Sequence, residues 1–427
     1  MSPRKRTAHP RAAVLTPIVS LLAASLLAVS LLAASPSSAA STGTSTGMLA
    51  PTPYMGWDTY FALGARYSEA TVLEQASALI QSGLARDGYR YVWLDVGWWQ
   101  GQRDAHGQIA VSGRQWPHGM RWLTSTLHAA GLRAGLYTDA GREGCGGARQ
   151  GSFGHYQQDV NTFAAWGFDA VKVDFCGGVR QRLNPRRAYT SFHQAIARDS
   201  PRRPMLLSIC DFLEPGQFRG QPPFGGSAFA SYTFGPSVGN SWRTDTDVGS
   251  PGYVVFGTVL RNLDADATHP EAAGPGHWND PDYLGPDQGM TDAQFRAQLS
   301  MWAMLAAPLI VSVDLTRMSA ASLEAVSNRE VIAVDQDRAG VQGTLLSSVN
   351  GGQVWVKPLS DGSDAVALLN RNPSALTIAT SAAAVGLAPA ASYTLRDLWA
   401  HATVATAGTI AAEVPGEAVV LLRVRPR

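Results

Sequence analysis

From Tyr54 to Asp314 short apolar or β-branched runs alternate with longer stretches of helical period, the pattern of parallel strands joined by helices. Eight runs read as strands: 54–60, 91–98, 133–139, 170–176, 205–211, 241–247, 277–284 and 309–314. Between them lie helical segments such as 69–82 and 120–130, the second closed by Gly131 in the manner of a C-cap glycine. Eight such units in about 260 residues is the count of a (β/α)8 TIM barrel. Periodicity alone leaves an open, doubly wound sheet as the rival. After Asp337 the pattern changes to short alternating strands, 353–358, 365–369 and 418–424 among them, separated by turns such as 360–363. That is the signature of a C-terminal antiparallel β-sandwich domain. The chain therefore divides into a leader (1–40), an α/β barrel (41–338) and the sandwich (339–427).

Polar residues are unevenly placed within the eight runs. Asp95, Asp139, Asp174, Asp211, Asp247, Asp282 and Asp314 all stand at or near C-terminal ends. In a barrel those ends gather on one face, where active sites of this fold are built. One loop aspartate is ordinary; a carboxylate recurring at the same place in successive units is not.

The first forty residues differ from the rest. Arg4, Lys5, Arg6 and Arg11 precede an almost uncharged Ala/Leu/Val run to about Ala34, and Ser38, Ala39 and Ala40 offer a cleavage site. They read as an export signal, so the body is expected to be secreted. With a net charge of +1 and 16% charged residues there is no broad field to hold nucleic acid or an anionic membrane, and a neutral partner is expected. Twelve Trp and twelve Tyr supply flat faces that stack on sugar rings, beyond those that fill the core. Three cysteines permit one disulfide and leave one thiol over, and no paired Cys or His spacing indicates a metal or cofactor. Oligomeric state is not encoded in any of these patterns.

Breaking a glycosidic bond with retention requires two carboxyl groups flanking the anomeric carbon, one a nucleophile and the other an acid/base. Two aspartates at strand ends across a barrel mouth meet that need. Asp174 ends Val171-Lys172-Val173-Asp174, and Lys172, two residues back on the same face of the strand, favours its ionised form.

Together with four other motifs this stretch resembles glycoside hydrolase family 27, the α-galactosidase and α-N-acetylgalactosaminidase clan, from Pro53 to about Arg423. The others are Pro53-Tyr54-Met55-Gly56-Trp57, Leu136-Tyr137-Thr138-Asp139-Ala140-Gly141, Ser241-Trp242-Arg243 and His277-Trp278-Asn279-Asp280-Pro281-Asp282. The resemblance implies a retaining α-galactosidase-like hydrolase with Asp174 as nucleophile and Asp247 as acid/base, Asp245 being a neighbouring decoy. It implies that Trp57 stacks on the sugar, that Asp95, Tyr137, Lys172, Asp211 and Arg243 bind its hydroxyls, and that Asp282 supports the pocket. It also implies a Cys145–Cys176 disulfide.

Several positions depart from the family pattern. Val96 stands where a second consecutive Asp normally grips the galactose O4 and O6 hydroxyls, and Tyr283 replaces the usual Met after Asp282. Cys210-Asp211-Phe212 occupies the place of Cys-Glu-Trp. Gly97 and Ala65 replace a familiar disulfide pair, and Gly239 replaces the expected partner of Cys210. Val96 keeps the sugar open between an α-galactoside, the related β-L-arabinopyranoside, and an α-glucan as in the isomaltodextranase branch. A carbohydrate-binding protein on a non-catalytic scaffold is the reading from another class, and intact Asp174, Lys172, Arg243 and Asp247 speak against it.

Overall fold

The computed structural model describes residues 48–145, 149–199, 203–211 and 230–427. The leader and Phe212 lie outside the described residues. Among the described residues no helix is long and apolar enough to cross a membrane.

Eight parallel strands form one sheet. The eighth, Leu309–Val311, pairs with the first, Met55–Asp58, and the order then follows the chain through Tyr91–Leu94, Arg133–Asp139, Ala170–Asp174, Leu206–Cys210, Ser241–Arg243 and Trp278–Asp280. The ring is closed just past the seventh strand, where the Leu284 N–H donates to Ile310 O at 2.8 Å and the Ser312 N–H to Leu284 O at 2.9 Å. This parallel bridge excludes the open sheet and makes a TIM barrel.

All the strands but the third, Arg133–Asp139, are shorter than the sequence pattern predicts, chiefly at their C-terminal ends. The second stops at Leu94 because Gly97, at φ +109°, turns the chain so tightly that a side chain there would meet Ala65 O at 2.3 Å. Gly97 and Ala65 thus touch, as the resemblance to a bridged pair implies. The seventh stops at Asp280 because Asp282 sits at φ +95°, outside the strand region. Helices match more closely. Glu69–Gln81 begins at Ser68, whose hydroxyl accepts from the Thr71 N–H, and Met120–Ala129 ends before Gly131 at φ +79°.

The C-terminal sandwich has a six-stranded antiparallel sheet ordered Thr344–Val349, Gly352–Pro358, Asp364–Asn370, Ala418–Pro426, Tyr393–Asp397 and Thr403–Thr406, and a second sheet of Leu376–Ser381 with Thr409–Val414. Its own core includes Val366, Leu368, Ile378, Ile410 and Leu422. Helix Asp292–Leu305 lies between barrel and sandwich, which explains why every residue from Ala297 to Leu305 is buried. On the sandwich side Lys357 Nζ donates to Ala303 O at 2.7 Å and Trp399 Nε1 to the Ser300 hydroxyl at 2.9 Å. On the barrel side Trp302 Nε1 donates to Asp282 O at 2.7 Å and Gln298 Nε2 to Tyr283 O at 3.0 Å. The helix therefore braces the turn that follows the seventh strand.

Candidate active site

The C-terminal ends of the strands bring together a cluster of charged side chains. Lys172 on the fourth strand donates to Asp95 Oδ2 at 2.7 Å and to the Tyr283 hydroxyl at 2.8 Å, and its Nζ is 3.9 Å from Asp174 Oδ1. The other Asp95 oxygen accepts from the Val96 N–H at 2.6 Å. The cation is held between two carboxylates from neighbouring parts of the barrel, all three nearly withdrawn from water, where the attraction is poorly screened.

Asp174 ends its strand in register with Asp139 on one side and Cys210 on the other. Burial lifts its carboxyl to about 6, and Lys172 pulls the other way. The sequence reading weighed the cation alone; in the barrel desolvation outweighs it. Its Oδ1 is buried without a hydrogen-bond partner among the described residues, and Oδ2 lies 3.1 Å from the Cys145 sulfur. That sulfur has no proton, because Cys145 and Cys176 form a disulfide with Cα atoms 5.1 Å apart. The bridge fixes the loop after the third strand beside the end of the fourth. Asp139 secures the same corner by accepting from the Gly141 N–H at 2.6 Å and the Gly177 N–H at 3.1 Å.

Arg243, 3% exposed, places its guanidinium between Asp247 Oδ1 at 3.1 Å and Asp282 Oδ1 at 2.9 Å. Asp282 is buried and its Oδ2 accepts from the Val248 N–H at 2.6 Å; burial raises its carboxyl to about 7, with Arg243 opposing. Asp247, in contrast, has a side chain 51% exposed. One face therefore carries a deep carboxylate on a cation, Asp174, and an open one on an arginine fork, Asp247. Asp245 turns elsewhere, to Arg261 Nε at 3.3 Å.

Other residues singled out from sequence fall differently. Tyr137 is buried, accepts from the Cys145 N–H at 2.9 Å and stands 5.8 Å from Lys172 Nζ, so it belongs to the cluster. Trp57 does not: it is 0% exposed and its indole N–H donates to Val313 O at 2.8 Å, leaving no open face. Tyr60, three residues on, is half-buried, and burial together with Asp247 and Asp95 pushes its phenol up to about 12, with Lys172 and Asp174 also in its field. Sequence reading missed it. The available signal was an aromatic in the turn following a strand, where side chains project over the barrel mouth. Asp211 is buried and accepts from the Ser231 hydroxyl, and its carboxyl is raised to about 7 by burial. Asp314 binds Gln75 and Thr316 instead of the cluster. Cys210 is free, its sulfur 3.8 Å from Arg243 Nη1, while Gly239 packs against Ile209.

Two family models match, one described as "Alpha galactosidase A" over residues 64–337 and one as "Alpha galactosidase C-terminal beta sandwich domain" over 349–424. The chain belongs to glycoside hydrolase family 27, the α-galactosidase family. It is 36% identical over 367 residues to an α-galactosidase of Oryza sativa subsp. japonica, with 86% of this chain and 83% of that protein covered. It is 35% identical to α-galactosidase A of Cellvibrio japonicus, covering 89% of this chain and 93% of that one. Among solved structures, α-galactosidase I of Mortierella vinacea superposes with a TM-score of 0.78 at 28% identity, covering 88% of this chain and 98% of that one. A β-L-arabinopyranosidase of Geobacillus stearothermophilus shares the fold, with a TM-score of 0.77 at 21% identity over 88% of this chain and 97% of that one. The α-galactosidase family thus accounts for both the barrel and the sandwich.

Proposed function

We propose that the protein is a secreted retaining α-galactosidase working by double displacement. Asp174 attacks the anomeric carbon while Asp247 protonates the departing glycosidic oxygen; Asp247 then takes a proton from water as water displaces Asp174. The observation that carries this reading is the contrast between the two carboxyls. Asp174 is deep, with an unpartnered oxygen and a cation nearby, and Asp247 is open to the side where leaving group and water must pass. Lys172, Asp95, Tyr137 and Arg243 bind the sugar hydroxyls, Asp282 holds Arg243, and Tyr60 supplies the stacking face in place of Trp57. Asp211, buried just past the fifth strand with its carboxyl on the Ser231 hydroxyl, is given no sugar contact in this scheme. The leader-like residues 1–40 and the Cys145–Cys176 bridge support export to an oxidising compartment.

A second substrate reading rests on one observation. Val96 packs against the apolar core, and the carboxylate next to it, Asp95, is already engaged by the Val96 N–H, Lys172 and Tyr283. A β-L-arabinopyranoside, which has galactose stereochemistry without the hydroxymethyl group, needs no acceptor there for O6 and leaves only O4 to be held. Hydrolysis of aryl α-galactoside and aryl β-L-arabinopyranoside, with NMR of the first-formed anomer, tests both. Retention with one of the two sugars is expected; an inverted product would overturn the mechanism, and activity on neither would overturn the substrate class.

A further inference from the structure

Asp58 closes the first strand and has no part in the scheme above. Its carboxyl is 1% exposed. Oδ1 accepts from the Tyr60 N–H at 2.6 Å, and Oδ2 lies 3.2 Å from the Tyr283 hydroxyl. That same hydroxyl is 3.0 Å from Asp95 Oδ2 and 2.8 Å from Lys172 Nζ.

Counting protons decides what these contacts are. A phenol has one proton to give and can accept two. Lys172 only donates, so it uses one acceptor site. The single hydroxyl proton serves one carboxylate, and Asp95, already paired with the ammonium at 2.7 Å, is the ionised one. The remaining contact, Tyr283 to Asp58, then either sets two oxygen lone pairs against each other in a dry site or contains a proton that belongs to Asp58. Only the second places a proton in both of the close contacts that the Tyr283 oxygen makes with carboxylate oxygens, so that no lone pairs oppose each other in a dry site.

We propose that Asp58 is a neutral carboxylic acid in the working enzyme, donating to Tyr283 so that the Tyr283 proton points at Asp95, and that this chain positions Asp95 for the sugar in place of the acid missing at Val96. Asp58 is a positioning residue: it holds the Asp95 carboxylate from behind and, through the Tyr60 N–H, the aromatic at the pocket rim. The groups facing it are consistent with a held proton. Burial and Asp95, just past the second strand, push its carboxyl well up, with Lys172 on the fourth strand opposing. The others are phenols, Tyr283 beyond the seventh strand and Tyr67, whose hydroxyl donates to Asp95 O. The pairing also gives an acid at 58 a reason to occur beside Tyr283: without that phenol the buried Asp58 Oδ2 would lose the partner it has here, while Oδ1 would keep the Tyr60 N–H.

The inference rests on the glycosidase reading, so its test has one arm that needs no substrate. Asp58→Ala, Asp58→Asn and Tyr283→Phe are compared with wild type in kcat and KM across pH, on whichever aryl glycoside wild type cleaves. The amide of Asn donates as the neutral acid does. Asp58→Ala should raise KM roughly tenfold with kcat changed far less, and Asp58→Asn should recover most of that loss. Wild-type KM should climb at alkaline pH as Asp58 ionises, whereas the Asn variant should lack that climb. An Asn variant as impaired as Ala, or one sharing the wild-type alkaline climb, overturns the proposal. If Asp58→Ala does not fold, the infrared difference between wild type and Asp58→Asn at neutral pH decides: a protonated-carboxyl carbonyl band should disappear. No lost band overturns the role of Asp58 even in an active enzyme, while a lost band in an enzyme inactive on every glycoside overturns only the proposed function.

Discussion

Replacing Lys172 by Met removes the cation beside the proposed nucleophile while keeping the length of the side chain. Asp174 must be ionised to attack, so activity is full above its pKa and lost as pH falls through it. The acid limb of kcat/KM, which reports the free enzyme, is expected near the value of about 6 to which burial raises Asp174. Lys172 Nζ is 3.9 Å from Asp174 Oδ1, and unit charges at that separation attract by about 4 kcal/mol at an effective dielectric of 20, or roughly three pH units. Water entering the vacated space, and partial protonation of Asp95 once it loses its own partner, reduce this to about one to two units. The limb should therefore move from about 6 to between roughly 7 and 8. The assay is kcat/KM against pH for an aryl glycoside, fitted for the position of the acid limb separately from its height. That separation matters because Lys172 also binds substrate, and its loss lowers the plateau whatever happens to Asp174. A plateau lowered with the limb unmoved would refute Asp174 as the group titrating there.

Asp174→Ala should abolish turnover, and Asp247→Ala should slow it by orders of magnitude, with partial rescue by azide on substrates with good leaving groups; full activity in either removes that assignment. Trp57→Ala should destabilise the barrel by roughly 3–5 kcal/mol, read as a fall in Tm, whereas Tyr60→Ala should cost about 1 kcal/mol of sugar binding, read in KM with Tm nearly constant. Val96→Asp should raise kcat/KM for aryl α-galactoside relative to aryl β-L-arabinopyranoside, and no change in that ratio would show that position 96 does not select the sugar. Cys145→Ser should lower stability by roughly 3–4 kcal/mol, given a bridge spanning 31 residues, and thiol titration of the denatured, unreduced wild type should find one free thiol.

Barrel and sandwich were legible because apolar periodicity is a property of local sequence. The start of each strand was also well placed, since buried β-branched and aromatic runs begin abruptly, as in Tyr91–Leu94. The ends were misjudged because what stops a strand is a backbone turn such as Gly97 against Ala65, a contact between distant parts of the chain. Strand-end position identified the face of the site but did not by itself separate Asp174 from Asp314; Lys172, two residues before Asp174, and the family resemblance did that, and in the barrel Asp314 binds Gln75 instead. Trp57 and Tyr60 are both aromatic and three residues apart; burial alone distinguishes them, and burial is settled by Val313 at the other end of the barrel. Tyr283 was visible as a departure from family pattern. Its meaning was not, because Asp58 is 225 residues away in the chain.

A straight strand presents alternate side chains to the barrel interior, so consecutive residues cannot both serve the pocket. Beyond the seventh strand they do: Asp282 reaches Arg243 while Tyr283 reaches Lys172, because the left-handed φ at Asp282 resets the alternation. The barrel gains a working position that its strand length does not provide. The gain is purchased with a backbone state that β-branched residues resist. Position 282 is therefore constrained twice, as a ligand of Arg243 and as the pivot that aims its neighbour, and variation at 283 can retune the pocket only while 282 keeps the bend.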